Sequence, residues 1–162
     1  SRGKSMVLEL GDWKFQVFEV TNRKYYAEQY QDRCDCAWCR NFYKAVDGRY
    51  PNLRRFMEQF GLRLDAPDEM IAFTPTLCSN YYAVCGSILE RGAEPITVDG
   101  ITVEPQLSGE AMVNTTLDPV FFLYVGCMEL PWVLDEPMEQ ADSPARRKNP
   151  IQRLLSRWIT ET

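Results

Sequence analysis

The chain carries 162 residues with a formal net charge of −5, six cysteines and no histidine. At 45% hydrophobic and 25% charged residues it is ordinary for one globular domain, which excludes wholesale disorder and collagen-like repetition. The acidic balance excludes a broad phosphate-neutralising surface, so no nucleic-acid partner is expected, and the missing histidine excludes Ser/His, Cys/His and mixed Cys/His zinc chemistry together.

The start, SRGKSMVLEL, shows no apolar stretch with a cleavage site. Met6 reads as the natural first residue and residues 1–5 as an added extension, with the reducing cytoplasm as the expected compartment. MVLELGDWKFQVFEV reads as a hairpin turning at Gly11 and Asp12, with Trp13, Phe15 and Val17 alternating onto a core face. TNRKYYAEQYQDRC follows as a helix or else a loop, with Thr21 or Asn22 as cap and Tyr26 and Tyr30 four apart. From Cys36, the residues Cys39, Phe42, Tyr43 and Val46 recur at helical spacing, and Gly48 is placed to stop that helix. A second helix opens on Pro51, lines Leu53, Phe56, Met57 and Phe60 along one face, and ends at Gly61.

LRLDAPDEMIAFTP reads as a connector turning at Asp65 to Pro67, and the pattern beyond it becomes β-like. NYYAVCGSILE suits a strand with a bulge at Gly86, and PITVDGITVEP is a hairpin on Asp99-Gly100. GEAMVNTT and PVFFLYVGCMELPWVLDE add one or two more strands, ended by Pro131. Cys127 lies in step with Phe121, Leu123 and Val125 and is expected in the core. The fold class is therefore α+β: an antiparallel sheet, built from the N-terminal hairpin and a C-terminal meander, packed with a short helical pair, all within one domain over 6–136. No run approaches the roughly 18 apolar residues of a spanning helix.

Residues 137–149 read as a linker of acids, prolines and three consecutive bases. An amphipathic helix over 150–161 follows, with Asn149 as cap, Pro150 at its first position, and Ile151, Leu154, Leu155, Trp158 and Ile159 on one face. It either docks back on the domain or presents Leu154 and Trp158 with Arg153 and Arg157 to a protein partner. Together with Arg146, Arg147 and Lys148 it also suits a weak contact with an anionic membrane surface.

The chemically sharp feature is Cys34-x-Cys36-x-x-Cys39, three sulfurs within six residues. The last two stand at a helix start, where free amide N–H groups and the positive dipole end favour thiolates. Three readings stay open: a structural zinc site that must borrow a fourth ligand from Cys78, Cys85, Cys127 or Asp35, a redox pair of Cys36 and Cys39, or reduced packing thiols, the last being expected if none of Cys78, Cys85 and Cys127 comes near. The carboxylates of DAPDEM and LDEPMEQAD, Asp65, Asp68, Asp135 and Asp142 among them, read as solvated charge in turns.

CDCAWCRNF, YPNLRRFMEQFGLRLDAPDEM, YYAVCGSIL and FFLYVGCMELPWVLDE together resemble a family of small bacterial proteins with a C-x-C-x-x-C-R-N-F start and a Pro-Trp-Val-Leu-Asp/Glu close. The resemblance covers about residues 6–136 and implies one compact domain with a non-random cysteine motif, without an activity. The expected function is a non-enzymatic binding or accessory protein, partner-neutralising in the manner of an immunity protein, with a zinc at Cys34, Cys36 and Cys39. A thiol-dependent oxidoreductase acting through Cys36 and Cys39 is the alternative.

Overall fold

The computed structural model describes residues 3–107 and 113–144. The expected helix over 150–161, with Arg153, Leu154, Arg157 and Trp158, lies outside the described residues.

The elements run β1 (Met6–Leu10), β2 (Trp13–Val17), α1 (Glu19–Gln31), α2 (Ala37–Arg49), α3 (Pro51–Gln59), β3 (Glu69–Thr74), β4 (Leu77–Glu90), β5 (Ile96–Val98), β6 (Ile101–Leu107) and β7 (Val120–Glu129). The strands form one seven-stranded antiparallel sheet in the order β1-β2-β4-β7-β6-β5, with β3 also on β4. The fold is thus α+β with an antiparallel sheet, as the hydrophobic periods predict. β4 is the spine: its first half pairs with β3, its second half with β2, and its other edge with β7. No helix among the described residues is long and apolar enough to cross a membrane.

Because successive strand side chains point to opposite faces, the sheet feeds two cores. Phe15, Tyr82, Val84, Val103, Phe121 and Leu123 face the helices and pack against Phe42, Val46, Leu53, Met57 and Phe60. Ala83, Cys85 and Phe122 face the other way and are covered by Leu117. Phe15 stacks on Phe121 at 5.3 Å and meets the edge of Phe60 at 5.4 Å, which ties the N-terminal hairpin to β7 and α3.

The β5–β6 turn has Asp99 and Gly100 both at positive φ, 51° and 75°, the geometry that two-residue hairpins select. Its carboxylate also caps α3, accepting from the Asn52 and Leu53 amides at 2.8 and 3.0 Å and from the Asn52 side chain at 2.7 Å. α1 is pinned to β4 by side chains. Asn22 donates to Phe60 O at 2.9 Å and accepts from Cys85 N at 2.7 Å. Tyr50, between α2 and α3, donates its hydroxyl to Glu129 O at 2.8 Å and accepts from Glu129 N at 3.0 Å.

Several expectations are corrected. The segment after β2 is a helix, but it starts at Glu19 with Phe18 as cap, so Thr21 and Asn22 lie inside it. Gly48 does not stop α2; the helix continues to Arg49, Tyr50 N closes on Val46 O, and Pro51, lacking an N–H, opens α3. Residues 69–74 of the expected connector form β3, and β4 begins at Leu77. Residues 113–116 of GEAMVNTT are irregular, while its first residues lie outside the described ones. Cys127 is exposed rather than core, because the chain bulges there at φ 53° and the inward face passes from Val125 to Met128. Asp68 is not solvated: it accepts from Tyr25, from Tyr26 at 2.5 Å, from Gln29 at 2.9 Å and from Ala83 N at 2.8 Å.

Two glycines give opposite expectations. A Cβ on exposed, helical Gly48 meets nothing, whereas one on Gly86 would lie 2.1 Å from Gln16 O of the paired strand. Gly48→Ala is expected to raise stability by about 0.5–1 kcal/mol in urea denaturation, and Gly86→Ala to lower it. Asn22→Ala, which strands a buried amide and carbonyl, is expected to cost about 3 kcal/mol by the same measurement.

Candidate metal centre

Cys34 and Cys36 sit on the short link between α1 and α2, and Cys39 in the first turn of α2. Cys36 is the N-cap, in extended backbone at φ −65° and ψ 160°, so its sulfur and that of Cys39 come to the same end of the helix. The three Sγ atoms all lie within 4.8 Å of one another. Cys36 and Cys39 are buried at 5% and 3% exposure, while Cys34 is half-buried. The structure therefore brings together the three sequence-predicted ligands, and three close cysteines of this kind could hold a metal ion.

The expected fourth ligand does not join them. Cys78 lies in the main core opposite Met128, Cys85 in the core on the other sheet face, and Cys127 on the exposed bulge. Asp35 is not part of the group either. Burial raises the Cys78 thiol to about 12, as suits a packing side chain.

The walls of the site come from distant sequence. Asp142 accepts the Ala37 N–H on its carboxylate at 3.0 Å and the Trp38 N–H on its carbonyl at 3.3 Å, taking up the free amides of α2 from outside the helix. The chain reaches it along α2: Asn41, fully buried, donates to Pro131 O at 3.0 Å and accepts from Val133 N at 2.7 Å. Arg40 then pairs with Glu136 at 2.6 Å and donates to Asp35 O at 2.8 Å. On the other side the Arg33 guanidinium lies 3.9 Å from the Tyr30 ring and 4.0 Å from the Tyr43 ring, with Arg63 stacked on Tyr30 at 4.0 Å. Asp65 takes two 3.0 Å bonds from Arg63 and one ion pair from Arg33 at 3.7 Å.

The thiols are unequal. A hydrogen bond from the Cys39 thiol lowers Cys36 to about 6, against burial and the charge of Asp142. The same hydrogen bond, then burial and the neighbouring sulfur charges, push Cys39 far up. Burial raises Cys34. Tyr43 is raised by burial and by the charges of Cys39 and Cys34, with Arg33 opposing, which puts its phenol at the edge of the cluster. Asp142, Arg33 and Tyr43 are the site residues that sequence reading missed; only the i+4 step from Cys39 to Tyr43 gave a signal for any of them.

Compared with protein-family models, curated proteins and solved structures, the chain gives no match in any of the three. The functional reading is carried by the chain's own residues.

The thiolate ultraviolet absorbance of metal-free protein is expected to titrate with a midpoint near 6 and to lose that step in Cys36→Ser. Asp142→Asn, which removes a charge opposing the thiolate, is expected to move the midpoint further down.

Proposed function

We propose that this is a non-enzymatic binding or accessory protein whose Cys34, Cys36 and Cys39 hold a structural zinc ion, and that it acts by engaging, and in the immunity-like case neutralising, a protein partner. The observation that carries the metal reading is the mutual approach of three Sγ atoms within 4.8 Å at the start of a helix. Sulfurs about 2.3 Å from a tetrahedral zinc stand roughly 3.8 Å apart, so a small contraction of the link before α2 completes three bonds. Zinc there would fasten that link to α2. A chain of net charge −5 favours a basic partner surface, and a reducing compartment such as the cytoplasm keeps the thiols available. Leu154, Trp158, Arg153 and Arg157 remain the proposed contact face of the tail, toward a protein or, weakly, an anionic membrane surface.

One observation favours a second reading: the split acidity of Cys36 and Cys39, a low thiol at a helix start beside a high one, is what a dithiol oxidoreductase uses. Elemental analysis of protein purified without chelator separates the two. About one zinc per chain, lost in Cys36→Ser, with a lower melting temperature after chelation, is the expected result. No metal, with a Cys36–Cys39 disulfide near thioredoxin's potential of about −270 mV, would establish the oxidoreductase instead, and inert metal-free thiols would remove both.

A further inference from the structure

We propose, resting on the zinc reading above, that the centre is an open one whose fourth coordination position takes a sulfur donor from outside the chain, a thiol either free in solution or carried by a partner.

The donor count requires an outside ligand. All six cysteines belong to the described residues, and the sequence has no histidine, so neither a fourth thiolate nor an imidazole is supplied at this site from within the chain. Zinc with only three protein ligands keeps an exchangeable position. Access is one-sided. The strap from Pro131 to Asp142 lies along α2 and covers its first amides, Arg33 and Tyr43 close another side, and Cys36 and Cys39 are buried. The half-buried Cys34 marks the remaining approach.

The chemistry selects sulfur. Three thiolates on a divalent ion leave one net negative charge and a soft, electron-rich centre that binds water or a carboxylate weakly and a thiolate well. Arg33, whose guanidinium is stacked over the Tyr43 ring, has a buried Nε–H without a hydrogen-bond partner among the described residues. In the exchange the thiol binds through sulfur and gives its proton to solvent, the ion–sulfur bond replaces an ion–water bond, and no electrons move.

Cobalt(II) in place of zinc in the full-length chain tests this, because its absorption reports each bound sulfur. The metal-loaded protein is expected to show a three-sulfur spectrum whose sulfur-to-metal band grows by about one third, from three donors to four, on adding glutathione or a single-cysteine peptide. Saturation by glutathione assigns the position to small thiols; saturation by the peptide alone assigns it to a partner's cysteine. Running the titration in Cys127→Ser removes the chain's own exposed thiol. A four-sulfur spectrum before any thiol is added, no response to either thiol, or saturation by imidazole instead would overturn the open thiol site while leaving the metal reading intact. A chain that takes up neither cobalt nor zinc would overturn both.

Discussion

Buried backbone groups that a helix end or an irregular segment cannot pair for itself decide how this chain is assembled. The solution is the same in several places: a side chain with both a donor and an acceptor stands in for a piece of strand. Asn22 does so between α1, the end of α3 and β4, and Asn41 does so between α2 and the segment after β7. Each amide lies fully buried, where leaving either partner unpaired costs about 1–3 kcal/mol, so the docking geometry has little freedom. Asn41 is two residues past Cys39, and holding it holds the first turn of α2. The position of the thiols thus follows from a hydrogen-bond requirement on a segment about ninety residues later in the chain.

Around the thiols the electrostatics are balanced rather than one-signed. Asp142 occupies amides that would otherwise stabilise a thiolate and adds an opposing charge, while Arg40 and Arg33 bring positive charge already shared with Glu136 and Asp65. Acidity at Cys36 consequently comes from its sulfur neighbours more than from the helix end. This suits a site in which a cation, once bound, becomes the largest local charge and reverses the sense of Asp142 from opponent to supporter.

What could be read from sequence was whatever the local periods state. Trp13, Phe15 and Val17 alternate and are buried, Asp99-Gly100 turns a hairpin, and Leu53, Phe56 and Met57 face one core. The C-x-C-x-x-C spacing at a helix start likewise sufficed to bring three sulfurs together. What stayed hidden depends on distant partners. Nothing near Asp68 announces that Tyr25, Tyr26 and Gln29 will fold over it, and nothing near Ala37 announces Asp142. β3 was missed because both its faces are part-exposed and its residues show no clean alternation. Cys127 was misplaced because one bulged residue reverses the facing of those beyond it; Gly126 before it was the available warning.

The Tyr50 side chain, bonded to both the N–H and the C=O of Glu129, also fixes the junction of the helical pair. α2 and α3 meet with Tyr50 alone between them, and that residue is clamped to the end of β7, so the elbow is a fixed pivot. Thirteen residues of α2 make a rod of about 20 Å, with the thiols at its far tip. That rod is held at both ends: Tyr50 ties one to Glu129, and Asn41 with the Ala37 and Trp38 amides ties the cysteine end to the segment after β7. Both ties come from one stretch of chain, residues 129–142, which therefore sets the spacing between the elbow and the cysteine end.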